Sequence, residues 1–183
     1  MKSKKWTLLA TSLTAMVLLA ACAQSTTTSN TNATTNSATT TATKTNQSSY
    51  FTEKDNDTSY DENTASKIEL SGSSANVSGD GVTVSESTVT ITKSGTYVIS
   101  GQSDGVQIKI EADKSADVHL VLKGATMTNT NAAISATSAG HVYLTLAEGT
   151  TNSLSDSSSN SDEKADAALF SKVDLTINGK GTL

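Results

Sequence analysis

The sequence has no arginine and no proline, and it has only one cysteine and few aromatic residues. All 13 basic residues of the 183-residue chain are lysines, and aromatic residues make up 4% of it. A single cysteine excludes an intramolecular disulfide. With so few aromatic side chains, a core must be filled by valine, isoleucine, leucine and alanine, and the length allows one domain with additional segments.

The charge of the chain is mostly negative outside its first residues. Lys2, Lys4 and Lys5 lie in an N-terminal segment that we predict is removed. The remainder carries 10 Lys against 18 Asp and Glu, a formal net charge of −8. Such a chain offers no basic surface for phosphate backbones, so nucleic acid is excluded as a predicted partner.

The N-terminal stretch MKSKKWTLLATSLTAMVLLAAC has the pattern of a secretory signal. Its apolar part, about 15 residues, is short for a membrane span and typical of a signal peptide. The small residues before Cys22 resemble a bacterial lipobox. That resemblance implies a lipoprotein signal peptide over residues 1–21, acylation of Cys22, and anchoring at the extracytoplasmic face of the bacterial cell membrane. The alternative is an ordinary secretory signal with a chance cysteine.

Residues 22–66 show no apolar periodicity. The first half is almost entirely Thr, Ser, Asn and Ala, and the second half, FTEKDNDTSYDENTASK, is acidic. Such composition cannot bury enough apolar surface to offset the entropy of ordering it, so we predict a disordered, flexible linker. DNDTSYDE does not fit a calcium-binding EF-hand loop, because Tyr60 stands where glycine is required and Ser66 where glutamate is.

Short alternating strands follow over residues 67–183. Three of them align on inward aliphatic residues, with spacings of 24 and 31: Val118/Leu120/Leu122, Val142/Leu144/Leu146 and Val173/Leu175/Ile177. A strand-bearing repeat of this length predicts an all-β solenoid whose stacked coils form parallel sheets. In it, GTTN would form a corner, with Asn152 hydrogen-bonded to a neighbouring coil. An antiparallel β-sandwich is the alternative, disfavoured by the scarcity of two-residue turn signals.

Four phrases, in order, resemble a bacterial family of extracellular carbohydrate-binding domains: SGDGVTV…VTITKSGTYVISG, VHLVLKGATMTNTNAAI, LTLAEGTTNSLSD and AALFSKVDLTINGKGTL. The resemblance implies a right-handed parallel β-helix, similar in architecture to pectate lyases, associated with calcium and with plant-type or acidic polysaccharides. Since further coils follow NGKGTL in such proteins, we expect the β-helix to be incomplete at its C-terminal end. An exposed solenoid end predicts self-association.

The predicted carbohydrate-binding surface is the outward face of these strands. If Val142 and Leu144 point inward, Tyr143 points outward, where its ring could stack on a sugar. Polar side chains share that face and suit a hydroxyl-rich ligand: His119, Lys123, Thr145, Asp174 and Thr176. An ordinary solvated sheet face is the alternative.

An acidic insertion between two of the strands provides candidate calcium ligands. Its carboxylates are Asp156, Asp162, Glu163 and Asp166, and carboxylate oxygens are the donors that calcium prefers. A solvated loop is the alternative. No catalytic residue is assigned, since no nucleophile stands at a telling spacing from a histidine.

Three functions are compatible with these patterns. The first is a non-catalytic, surface-anchored carbohydrate-binding module for acidic or plant-type polysaccharide, with calcium. The second is a calcium-dependent polysaccharide lyase, which the absence of arginine disfavours because lyases of this architecture commonly use an Arg or Lys base. The third is a structural or adhesive cell-surface protein.

Overall fold

A computed structural model describes residues 50–157 and 164–183, all of which belong to one compact unit of the chain, Lys44–Leu183. Cys22 and the signal peptide lie outside the described residues. None of the described helices is long and apolar enough to span a membrane.

The described chain is almost entirely β-structure, so the all-β prediction is confirmed. Its elements in chain order are α1 (Glu53–Asn56), β1 (Ser66–Gly72), β2 (Ser74–Ser78), β3 (Val82–Ser85), β4 (Thr88–Ile91), β5 (Gly95–Asp104), β6 (Gln107–Glu111), β7 (Asp117–Asn129), β8 (Ile134–Ser138), β9 (His141–Leu146), β10 (Ser153–Asp156), β11 (Leu169–Ser171) and β12 (Asp174–Gly179).

The strands form two sheets. The first has the order β12-β9-β7-β5-β1-β2, with β10 also paired to β7, and the second has the order β11-β8-β6-β4-β3. Only β1/β2 and β3/β4 pair antiparallel; the other described pairs are parallel. This parallel pairing contradicts the sandwich alternative, which requires antiparallel neighbours. Neither sheet closes on itself.

One aliphatic core lies between the two sheets. Leu120 pairs with Leu144, and Ile108 of the second sheet pairs with Ile134, so like residues stack along each sheet. All four side chains are fully buried in the same cluster. Parallel strands in register repeat the same inward positions from strand to strand, which is how a sequence poor in aromatic residues fills its interior.

The predicted alignment of the third strand is wrong by two residues. Val142 pairs with Leu175, not with Val173, and Leu146 pairs with Gly179, so the second spacing is 33. A side chain at Gly179 would overlap the backbone of Leu146, and its φ of 101° favours glycine. Because side chains alternate with period two, this shift leaves every predicted face unchanged.

The β12 edge and the end of the core beside it are open in the described structure. Ile177 is 50% exposed although it lies on the inward face, and Leu183 is 48% exposed. Such an edge presents unpaired backbone groups. Self-association through it stays a prediction.

Candidate functional site

The six predicted carbohydrate-binding residues all lie on the outward face of the first sheet, hereafter the outer face. His119, Tyr143 and Thr176 form one row across β7, β9 and β12, and Thr96 of β5 extends that row. Thr145 belongs to the next row, and Asp174 pairs with His141 in the row before. Lys123 follows inward Leu122 in β7. Alternation alone therefore placed these side chains on the correct face.

The predicted exposure of Tyr143 and Thr145 is wrong, because another part of the chain covers them. Residues 50–65, hereafter the strap, pack across the outer face instead of forming the predicted flexible linker. Tyr143 is only 9% exposed and Thr145 only 1%. Asp174 remains exposed.

One end of the strap is held by hydrogen bonds to β12. The Thr176 hydroxyl donates to the Asp55 carboxylate at 2.6 Å. The Asn178 amide donates to the backbone carbonyls of Asp55 at 3.0 Å and Asp57 at 3.1 Å. A capping box with Thr52 positions Asp55 in the single turn of α1. These bonds fix the N-terminal part of the strap to the last strand.

Ion pairs and a small apolar contact also hold the strap against the sheet. Lys54 pairs with Asp117 at the start of β7, and Glu62 pairs with Lys123 farther along that strand; all four side chains are about half exposed. Exposed ion pairs contribute little, about 0–1 kcal/mol each. Apolar residues of the strap pack against a separate small cluster on the sheet: Tyr60 and Ala65 against Val98, Val121 and Ala147.

Beneath the strap, a hydrogen-bond relay crosses the outer face from β7 to β12. Asn178 donates its amide to the strap, so its oxygen faces Thr145, whose hydroxyl donates to it at 2.6 Å. The Thr145 oxygen is then free to accept from Nε2 of His119 at 2.8 Å. This pattern assigns the proton of neutral His119 to Nε2.

A second relay ends in the strap itself. The Thr176 hydroxyl donates to Asp55, so its oxygen accepts from Nε2 of His141 at 2.9 Å. The His141 ring stacks on Tyr143 with centroids 4.1 Å apart. The Lys54 ammonium lies 5.0 Å from the centroid of the Tyr143 ring, within cation–π range.

These contacts shift several pKa values. Hydrogen bonds from Thr176 and then Thr52, with a smaller contribution from nearby His141, lower the pKa of Asp55 to about 2. A carboxyl whose pKa is depressed on folding favours the packed state above its ordinary pKa. That contribution is lost as pH falls from about 4 to about 2. Burial lowers the pKa of His119, so His119 is neutral at pH 7.

A cleft of about 230 Å³ opens between the strap and the outer face. Its lining, which defines the cleft hereafter, is Lys54, Asp57 and Ser59 from the strap and Gly95, Thr96, Asp117, His119 and Tyr143 from the sheet. Hydroxyl, carboxylate, imidazole, ammonium and aromatic groups therefore surround one space. Together they can both donate hydrogen bonds to sugar hydroxyls and accept hydrogen bonds from them.

A second cleft of about 310 Å³ includes Thr58 and Tyr60 of the strap. Successive residues of an extended segment point to opposite sides, so the strap separates the two clefts. In this second cleft Lys123 is paired with Glu62 and Lys180 lies 3.5 Å from Glu148. Its charges therefore balance within the protein.

The predicted calcium ligands are divided between the described chain and residues outside it. Asp156 ends β10, in the first sheet, and Asp166 precedes β11, in the second sheet. Asp162 and Glu163 lie outside the described residues. Across residues 50–157 and 164–183, no group of three or more His, Cys, Asp or Glu is arranged to hold a metal ion. The described carboxylates alone do not form the site, and calcium binding stays a prediction that depends on Asp162 and Glu163.

Sequence reasoning missed the strap residues of the site and four sheet residues: Gly95, Thr96, Asp117 and Asn178. Continuing the alternation of β12 by two residues beyond Thr176 leads to Asn178 on the outer face. The capping signal from Thr52 to Asp55 indicated the start of a helix inside the supposed linker. No local pattern indicated where that helix would pack.

Comparison with known proteins gives the family. A family model described as "Carbohydrate-binding domain-containing protein" matches residues 85–183. The chain belongs to this family. The matched range contains the sheet side of the cleft, and the strap precedes it.

Two relatives extend the comparison. A carbohydrate-binding domain-containing protein of Acetivibrio thermocellus (strain ATCC 27405) is 38% identical over 95 residues, 49% of this chain and 33% of the relative. A solved structure, described as the polysaccharide lyase-like protein from C. thermocellum in a gadolinium derivative, is 37% identical with a TM-score of 0.59. That match covers 64% of this chain and 50% of the solved one. The chain thus spans at most half the length of either of these two proteins.

Proposed function

We propose that the chain is a carbohydrate-binding module and that the cleft is its glycan site. The observation that carries this proposal is the convergence of His119, Thr96, Ser59 and Tyr143 on one open space, in a chain of the carbohydrate-binding domain family. Sugar sites combine polar groups that both donate and accept with an apolar ring surface, because a pyranose has hydroxyls at its rim and CH groups on its faces.

The charges of the cleft favour a neutral glycan. Lys54 is its only cation at neutral pH, and this ammonium is already paired with Asp117. The Asp57 carboxylate adds a further negative charge, which hydrogen bonds from Ser59 stabilise by lowering its pKa. A uronate would bring another negative charge into this field without an available cationic partner. A plant-type glucan or xylan meets no such repulsion.

The architecture belongs to the proposal as well. The two open sheets are interpreted as faces of a right-handed parallel β-helix, because successive strands from β4 to β9 alternate between the sheets and pair in parallel with equivalent strands of the next coil. A structural neighbour described as polysaccharide lyase-like supports the same interpretation. In a helix of this kind the outer face is a continuous strip, which suits an extended polymer.

The experiment that tests the glycan site measures retention of the chain on immobilised glucan, xylan and polygalacturonate. We expect retention on a neutral polymer, unaffected by chelator. Lack of retention on every polymer would contradict the module proposal. Release of unsaturated uronides, detected by their ultraviolet absorbance, would instead favour a polysaccharide lyase, the alternative that the description of the structural neighbour suggests.

Calcium-dependent binding of acidic polysaccharide is a second proposal, assigned to the insertion and not to the cleft. A calcium ion could accept oxygens from Asp162, Glu163 and a uronate at the same time, offsetting repulsion between an acidic chain and a polyuronate. Replacing Asp162 and Glu163 by Asn and Gln should then weaken retention on polygalacturonate about tenfold with calcium present. Retention on a neutral glucan is the control. Polygalacturonate retention that chelator leaves unchanged would refute this calcium bridge.

The anchor at Cys22 is also a proposal, based on the lipobox-like stretch. Acylation would hold the module at the extracytoplasmic face of the bacterial cell membrane. We expect Cys22→Ala to shift the protein from the membrane fraction to the medium or to leave an uncleaved precursor. Cys22→Ala that fractionates and is processed like the unmodified protein would show that Cys22 is not the anchor.

A further inference from the structure

The strap satisfies polar groups of the outer face with chemistry that a sugar also has. The Thr176 hydroxyl and the Asn178 amide both donate to strap oxygens, and the Lys54 ammonium lies over the Tyr143 ring. Sugar hydroxyl oxygens could accept from Thr176 and Asn178 in the same way. The CH face of a pyranose could take the place of the ammonium over the ring. The strap therefore occupies positions that suit a polyhydroxylated ligand.

The strap is held less firmly than the sheet beneath it. Its helix contains no buried residue, and its two ion pairs are about half exposed. The most enclosed polar anchor is Asp55, whose side chain is 12% exposed. The sheet residues below, such as Leu120 and Leu144, are completely buried. Segments with few buried contacts open locally at a lower free energy than core strands do.

We propose that the outer face under the strap is a second, concealed carbohydrate-binding surface, which a long neutral glycan reaches from the cleft by displacing the strap. This inference rests on the proposed function, since the cleft would be the first point of contact. The surface consists of Tyr143, Thr145, Thr176 and Asn178. For a ligand that must displace the strap, the apparent affinity is its affinity for the open form multiplied by the fraction of chains in which the strap is open.

The test compares cellobiose with cellohexaose, because the shorter sugar reports on the cleft and the longer one also on the covered face. Asp55→Ala and Glu62→Ala each remove a strap anchor without changing a residue that lines the cleft. We expect each substitution to tighten cellohexaose binding about fivefold and to leave the affinity for cellobiose unchanged. Asp61→Ala is the matched control, since it removes a strap carboxylate that bonds only within the strap. It should leave both affinities unchanged.

A reversible disulfide tests the opposite change, because it holds the strap closed. In the full-length chain with Cys22→Ser, the substitutions Asp55→Cys and Thr176→Cys allow a disulfide between the strap and β12. The side-chain oxygens of Asp55 and Thr176 are 2.6 Å apart in the unmodified chain. Oxidised, this chain should bind cellohexaose no better than cellobiose, and reduction should restore part of the difference, because Thr176→Cys also removes one hydroxyl donor of the surface. The proposal would be overturned if Asp55→Ala and Glu62→Ala bind cellohexaose no more tightly than the unmodified chain does. It would also be overturned if the formed disulfide leaves cellohexaose binding unchanged. If the unmodified chain binds neither sugar, the glycan site itself is refuted.

Discussion

Replacing Asn152 by alanine is expected to lower the free energy of unfolding by about 3 kcal/mol. The Asn152 side chain is 4% exposed and connects the turn after β9 to β7 and to the segment after β12. Its oxygen accepts from the backbone N–H groups of Gly124 and Ala125, both at 2.9 Å, and its amide donates to the carbonyl of Thr182 at 3.1 Å. Alanine would leave two backbone donors without their acceptor, and each buried, unpaired donor costs about 1–3 kcal/mol.

Urea denaturation followed by circular dichroism measures this loss. Asn63→Ala is the matched control, because Asn63 is exposed and its side-chain bond stays within the strap. We expect that control to change stability by less than about 0.5 kcal/mol. If Asn152→Ala costs less than about 1 kcal/mol, the Asn152 side chain does not hold this turn to its neighbouring strands.

Replacing His119 by alanine is expected to weaken binding of a neutral oligosaccharide about tenfold. His119 lines the cleft and donates to Thr145, which in turn donates to Asn178. The substitution thus removes a polar group from the cleft and breaks the relay that orders the outer face. His119→Gln should lose less, because its amide can still donate to Thr145.

Isothermal titration with cellohexaose tests this expectation. Lys109→Ala is the control, since Lys109 lies in β6 of the second sheet and lines neither cleft. Thermal unfolding of each variant separates lost binding from lost folding. Equal affinities of the alanine variant and the unmodified chain would remove His119 from the site.

Alternating strands could be predicted well from this sequence because their signal is local. The two-residue period of a strand predicts that Val142 and Leu144 point inward and that Tyr143 points outward. The structure has that arrangement. The register of β12 could not be predicted in the same way. Three aliphatic residues fit the repeat equally well at two offsets, and the close approach of Gly179 to Leu146 selects one of them.

The strap was beyond sequence reasoning for a different physical reason. Its polar contacts with the sheet are single bonds to residues more than 60 positions away, such as Lys54 to Asp117 and Asp55 to Thr176. Long-range bonds of this kind leave no periodicity in the sequence. Composition correctly indicated that the segment has no core of its own, but not that a preformed sheet would supply a surface for it.

The site shows the same division between local and long-range information. Periodicity placed His119, Tyr143 and Thr176 on one face, and the structure has them in one row. Whether that face is open depends on the strap, which covers Tyr143 and leaves the cleft beside it. A prediction of which residues face outward is therefore weaker than a prediction of which residues a ligand can reach.

Mapping glycan contacts by nuclear magnetic resonance tests whether the cleft is the glycan site. Cellobiose, which reports on the cleft, is added to the isotopically labelled chain, and shifts of backbone amide signals are assigned residue by residue. We expect the largest shifts at Thr96, His119 and Tyr143 and at strap residues 57–59. Shifts confined to the ends of the acidic insertion, at Asp156 and Asp166, or to the second sheet would contradict a glycan site in the cleft.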